Sequence, residues 1–414
     1  MSNTTTHPTP SLAVRPAVGT TAAGRLPLLP PSAAFYLEAS ITLGFLAGSA
    51  APTPLYAVYR EAWGFSSTML TVAFAVYALA VLSALLVTGR LSDHIGRRPV
   101  LIAATAAHAL VMLVFATADS LGDLLLGRVL QGLSAGAAVA AVGAGLLDLD
   151  KTRGAIANSV APMLGTGLGA IVAGLMVQFL PAPTHLIYEV LGVAFVLQAI
   201  ALVFVAETAP PRAGAWASLR PTFSLPKAVR APLLVAAPVV VATWALAGFY
   251  ASLGPTLVRT LIGSGSLVVG GLALFVMAGS GAGAVLLLRE RAPRDLLRLG
   301  AAALVAGVVI VLAALSLHSL ALFLAGTAVA GVGFGTGFQG AIRTVVAAAA
   351  ATERAGVLSI LFVLSYFAMG APAVAAGARL AASGDIGTTS REFAIAILAL
   401  AALALSGLRS KNGG

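Results

Sequence analysis

The chain has 414 residues, 59% of them hydrophobic and 9% charged, with a formal net charge of +10 and no cysteine. A soluble protein carries about 25% charged residues, so this composition excludes an ordinary soluble fold and points to a polytopic membrane protein. The lack of cysteine excludes disulfides, thiol catalysis and Cys-ligated metals. The basic residues sit in short stretches between apolar runs, the pattern of orientation signals and anionic-lipid contacts rather than of a nucleic-acid partner.

Residues 1–31 are rich in Thr, Pro and Ala, carry Arg15 and Arg25 and hold no acid. They read as a disordered cytoplasmic tail without a cleavable secretory signal. Pro30-Pro31 then supplies a helix start. Twelve spans are predicted, near 32–53, 66–88, 99–118, 121–147, 155–180, 185–206, 232–255, 265–288, 299–317, 320–346, 355–381 and 391–408. The stretch 299–342 is free of acids, Lys and Arg over 44 residues. As one helix it would be about 66 Å long, twice the bilayer core, so it holds two spans with a turn at His318-Ser319. The longest polar interruption after the tail, 207–230, follows the sixth span. It divides the chain into six-helix bundles at 32–206 and 231–408, joined by a cytoplasmic linker and followed by a short tail at 409–414. With the N-terminus inside, 18 Lys and Arg fall on the inner side and four on the outer. That bias predicts an inner-membrane protein with both termini in the cytoplasm.

Between the second and third spans lies GRLSDHIGRRPVL, residues 89–101, a compact charged loop between two apolar runs. Asp93 and Arg97 are four residues apart and share a face if the loop end is helical. Gly89 and Gly96 permit close backbone approach where helices of the two halves meet. Gly89, Leu91, Asp93, Gly96, Arg97 and Arg98 together resemble the signature loop between helices 2 and 3 of the major facilitator superfamily of transporters. The resemblance covers nearly all of 32–408. It implies an all-α membrane protein with twelve helices in two six-helix halves, which rock about a midplane cavity. It also implies that Asp93 docks near the start of span eleven, around Ala355, where the helix dipole favours a negative charge and the contact stabilises the outward-open state. Arg97 and Arg98 also serve as topology signals.

Span four carries RVLQGLSAG from Arg128 to Gly136. A charged side chain within a span costs several kcal/mol unless it faces a cavity or a partner, so Arg128 is functional by default. Arg128, Gln131 and Gly132 resemble the helix-4 motif of proton-coupled members, with Ser134 in place of a glycine. Glu38 is the one acid of span one. In an apolar setting it can load and release a proton near neutral pH; near the surface it would snorkel instead. A direct Glu38–Arg128 pair is not expected, because the two lie toward opposite faces. Span five has Pro162 and Gly165, a partial likeness to a helix-5 motif of proton antiporters and independently a tight-packing or bending point. His108 reads as a packing histidine with one hydrogen bond, and Arg343 as a snorkelling side chain.

Aromatics such as Tyr77, Phe334 and Tyr366 read mostly as packing or lipid-facing groups. Trp244, Tyr250, Phe338 and Gln339 are the candidates for cavity walls. No dense set of buried charges is present, which favours a neutral or amphipathic substrate over a strongly ionic one. No Walker-type phosphate loop occurs, and the five His are scattered, so neither ATP hydrolysis nor a membrane-embedded enzyme is indicated. No cofactor or metal is expected. The expected partners are a small-molecule substrate, protons and membrane lipids, with the chain acting as a monomer. The expected function is proton-coupled efflux of a hydrophobic or amphipathic small molecule. Proton-coupled uptake of a sugar or organic acid, and a non-transporting receptor or scaffold, remain the alternatives.

Overall fold

A computed structural model of the chain describes residues 28–262, 266–350 and 352–410. The predicted tail therefore lies almost wholly outside the described residues. The helices are α1 (Pro31–Ala50), α2 (Pro52–Trp63), α3 (Ser67–Thr88), α4 (Ser92–Ile95), α5 (Arg97–Ala116), α6 (Leu121–Leu149), α7 (Lys151–Phe179), α8 (Leu186–Leu202), α9 (Ala215–Ser218), α10 (Lys227–Ser252), α11 (Gly254–Ile262), α12 (Leu267–Leu287), α13 (Pro293–Leu317), α14 (Leu320–Ala347), α15 (Arg354–Ser383) and α16 (Ile386–Ser410). Eleven described segments are long and apolar enough to cross a bilayer, α1 and α2 counting as one, and α8 adds a shorter apolar helix. Together they make a twelve-helix membrane protein with no strand among the described residues.

Several spans are longer than hydropathy suggests. Span one continues past residue 53 to Trp63 with a break at Ala51. Pro52 cannot donate to the carbonyl four residues before it, but it starts a new helix well. Span five begins at Lys151, because Asp150 caps it by accepting from the Arg153 amide at 2.9 Å. Spans seven, nine and twelve likewise begin at Lys227, Pro293 and Ile386 rather than at 232, 299 and 391. Hydropathy registers the apolar slab, whereas helices project polar first turns beyond it. The turn between spans nine and ten does fall at His318-Ser319. His318 takes a left-handed φ of 50°, and the Ser319 hydroxyl accepts from the Leu322 amide.

The packing repeats six spans apart. Helix α3 lies on α6 as α12 lies on α14; α1 packs on α7 as α10 on α15; α5 packs on α8 as α13 on α16. The two sets of helices meet through α7 against α12 and α3 against α15, pairings that exchange under the same six-span shift. Small residues allow it. A Cβ at Gly132 of α6 would lie 2.6 Å from the Tyr77 carbonyl of α3. One at Gly331 of α14 would collide with the Met277 carbonyl of α12. Tyr77 and Met277 are each the eleventh residue of their helix, so both contacts fall at the same register.

Candidate functional site

At one end of the molecule, here called the basic face, the 89–98 loop is bound to the segment that follows α8. Gly96 has φ 102°, a conformation natural only to glycine, and a Cβ there would strike the Glu207 carboxylate. Glu207 thereby accepts from the backbone amides of Arg97 at 2.7 Å and Arg98 at 3.1 Å, capping α5. Arg98 donates to the Val203 carbonyl, and the Arg212 amide to the His94 carbonyl at 2.7 Å. Arg97 pairs with Asp93 and also with Asp148 of α6 at 3.3 Å.

One expectation for this loop changes. Gly96 makes room for Glu207 on the chain's own half rather than for the other half, and Gly89 lies beside Leu85 and Ala140. Asp93 meets Arg97, while Phe223 and Ser224 of the connecting segment cover Gly356 at the start of α15. Leu91 packs partly buried beneath the loop.

Deeper in the same helices, Arg128 is almost fully enclosed, at 1% exposure. It does not snorkel. Its guanidinium donates to the Ser49 carbonyl at 3.0 Å, the Ala73 carbonyl at 3.4 Å and Gln131 Oε1 at 2.6 Å, and lies 4.2 Å from the Tyr77 ring centroid. Gln131 in turn donates to the Gly48 carbonyl at 2.9 Å. Gly48 precedes Pro52 by four residues, so its carbonyl has no helical donor and Gln131 supplies one. The break in span one thus creates acceptors, and span four brings a cation and an amide to fill them. The buried guanidinium is held by carbonyl dipoles and a π face rather than by an acid. His108 sits beside this group with Nδ1 2.7 Å from the Ser134 hydroxyl, between Phe45 and Phe195.

Glu38 lies elsewhere, 2% exposed, with its carboxyl group against Gly145 of α6 and within electrostatic reach of Asp148, Glu207 and Arg97. It is the one buried acid among the described residues, and its Oε2 has no hydrogen-bond partner. Glu38 and Arg128 therefore occupy separate environments, one under the basic-face cluster and one at the break in span one.

Between the two sets of helices is a cavity of about 820 Å³. Its floor includes Thr53, Phe74 and Met369, and it reaches the basic face at Thr152, Arg289 and Arg343. Trp244, Phe338 and Gln339 line it, as do Pro162 of α7 and, on the facing wall, Tyr77. Gly165, one turn from Pro162, instead seats α7 on the Leu43 backbone of α1. Tyr250 is not a wall. Six residues from Trp244 is a rotation of about 240° at 3.6 residues per turn, which points it away from the cavity. There it bonds the Thr327 hydroxyl at 2.8 Å and stacks on Phe323. Arg343 also differs from expectation: it donates to the Arg289 and Arg291 carbonyls at 3.0 and 3.1 Å, holding the loop after α12.

On the opposite face the two sets of helices are tied together. Glu61 pairs with Arg259 at 3.1 Å, Thr68 donates to the Gly377 carbonyl at 3.4 Å, and Gln178 accepts from Ser266 at 2.8 Å. Sequence reasoning missed these links, together with Phe74 and the capping role of Glu207. Each depends on residues far apart in the chain, and no local pattern marks them.

The geometry has clear relatives. Multidrug resistance protein MdtL of Klebsiella pneumoniae subsp. pneumoniae is 32% identical over 162 residues, 36% of this chain and 40% of that protein. Inner membrane transport protein YajR of Escherichia coli K12 is 35% identical over 122 residues, 30% of this chain and 26% of that protein. The chain thus spans about two fifths or less of the curated relatives it matches. The crystal structure of a mutant of the nucleoside transporter NupG superposes with a TM-score of 0.71 at 11% identity, over 91% of this chain and all of that one, and so shares the fold. The family model described as Major Facilitator Superfamily matches residues 38–374. With that match over most of its length, and with eleven described segments long and apolar enough to cross a bilayer, the chain belongs to the Major Facilitator Superfamily and is an integral multi-pass membrane protein.

Proposed function

We propose that this transporter works by alternating access and exports a hydrophobic or amphipathic small molecule in exchange for protons. The observation that carries the reading is the mostly apolar cavity, open at the basic face and sealed by cross-links on the other. A single site reached from one side at a time is the requirement of the mechanism. The name of MdtL supports efflux of foreign compounds. In this reading the basic face is cytoplasmic, with both termini there, in the inner membrane of the cell, since the sequence assigns 18 Lys and Arg to the tails and loops of that side and four to the other. The chain hinges between α8 and α10, and the 89–98 loop re-docks against α15 when that face closes. Glu38 is the proton-carrying group, because it is the one buried acid among the described residues and its Oε2 has no partner. Arg128 holds spans one, two and four as a unit and sets the electrostatics of the cavity wall through Tyr77.

Proteoliposomes with an imposed pH gradient and an internal pH-sensitive dye test this. Substrate-evoked proton movement is expected in the wild type and is expected to vanish in Glu38→Gln and Arg128→Ala. Coupling that survives Glu38→Gln removes it as the carrier. Substrate flux with no proton movement in the wild type removes proton exchange from the mechanism.

A further inference from the structure

The cavity contains one wall whose chemistry is specific. Trp244 of α10 is surrounded by Phe338 at 5.1 Å, Tyr366 at 5.4 Å and Phe334 at 6.2 Å between ring centroids, with interplanar angles of 80°, 45° and 67°. Steeply inclined rings present both edges and faces, which a flat ring entering among them can meet edge-on or offset-stacked.

The polar groups of this cavity divide sharply. Ser49, Asn158, Ser159 and Thr166 each donate to a backbone carbonyl, at 2.8, 2.8, 3.0 and 2.9 Å. The three hydroxyl donors and one Asn158 N–H are committed to the helices. Trp244 Nε1 and Gln339 Oε1 are both covered and have no partner. One is a donor only and the other an acceptor, and both border the cavity. A buried polar group without a partner is unfavourable, and a ligand that supplies the complementary atom relieves it.

The charges are equally one-sided. Glu290 is the only carboxylate lining the cavity among the described residues; it sits at the rim, 88% exposed, beside Arg289. The rim also carries Arg343, and the far wall has the Arg128 guanidinium against the back of Tyr77. An organic cation entering here would meet ring faces but no carboxylate at its depth, with Arg289 and Arg343 at the rim and Arg128 behind Tyr77 opposing its charge.

We infer that the Trp244–Gln339 wall is a subsite for an uncharged planar aromatic molecule bearing a neighbouring hydrogen-bond acceptor and donor, and that it discriminates against organic cations. This rests on the transporter reading above, but binding is measured without any flux.

The test uses the full chain in detergent and tritiated 2-quinolinone, a flat neutral ring with an adjacent carbonyl and N–H. Saturable binding is expected, displaced at least tenfold less effectively by N-methylquinolinium and by naphthalene, which match its shape but carry a charge or lack the polar pair. Gln339→Leu and Trp244→Phe are each expected to weaken binding about tenfold. In a Trp63→Phe/Trp216→Phe background Trp244 is the sole tryptophan, and its emission is expected to change on binding. Equal displacement by N-methylquinolinium overturns the inference, and so does unchanged affinity in Gln339→Leu. The wild-type competition decides the charge rule even if a variant misfolds. Quinolinone binding without flux of any compound would sink the transporter reading and leave the subsite. Flux of N-methylquinolinium without quinolinone binding would do the reverse.

Discussion

Helices α6 and α14 are the same scaffold carrying different chemistry. Both start on a serine cap, Ser120 and Ser319. Both then place glycines at the same register. Gly127 and Gly326 face the preceding span, at Phe115 and Val311; Gly132 and Gly331 face Tyr77 and Met277; Gly136 and Gly335 face the Val81 and Gly281 carbonyls. At the eighth position the two part. Arg128 binds two backbone carbonyls, Gln131 and the Tyr77 ring, whereas Thr327 makes a neutral bond to Tyr250. Close packing is therefore a property of the repeat, while the buried charge belongs to one half alone. The glycine frame tolerates either side chain because both project between helices already brought within backbone contact.

The severest challenge to this equivalence is to fill the frame. Gly132→Leu and Gly331→Leu each force a side chain against a backbone carbonyl, and each is expected to cost about 3 kcal/mol. Denaturation midpoints in detergent should fall by similar amounts. A large loss in one and none in the other would end the claim that the two frames are equivalent. Next comes the eighth position. Arg128→Ala strands several acceptors and is expected to cost about 2 kcal/mol and to abolish transport; Thr327→Ala strands one hydroxyl, costs about 1 kcal/mol and preserves transport. Equal transport defects would show that the charge is not what separates the halves. Gln131→Leu, which leaves the Gly48 carbonyl without a donor at the Pro52 break, is expected to cost about 1 kcal/mol in the same unfolding measurement. The smallest effect concerns the ties between halves. Glu61→Gln removes a partly exposed pair with about 0.5 kcal/mol of influence. The chain has no native cysteine, so Thr53→Cys on the cavity floor can report opening. Its labelling by an impermeant reagent from the face opposite the basic one should rise about twofold. An unchanged rate would place the seal in Thr68, Gln178 and the packed helices instead.

The loop at 89–98 illustrates how much was legible before any coordinates. Its residue types and spacing announced a structured polar cluster, and the i,i+4 pairing of Asp93 with Arg97 followed from helical periodicity. The partner Glu207 did not follow, because 110 residues separate it from Arg97. For Arg128, rarity inside an apolar run was enough to mark it. What it binds could not be read, because its backbone acceptors are the Ser49 carbonyl beside a helix break on span one and the Ala73 carbonyl of span two, both on other helices.

Local patterns along the chain were enough to set the class of the molecule, the number of spans, the turn at His318-Ser319 and the residues worth attention. Those properties depend on short-range quantities: hydropathy over about 20 residues, proline and serine at helix ends, and the cost of a charge in an apolar run. Only the folded arrangement settles that Trp244 lines the cavity while Tyr250 bonds Thr327, that Glu38 is enclosed, and that Glu61, Thr68 and Gln178 tie one face together. Each of those outcomes turns on which face of a helix meets which neighbour, and that is set by packing between segments distant in the chain.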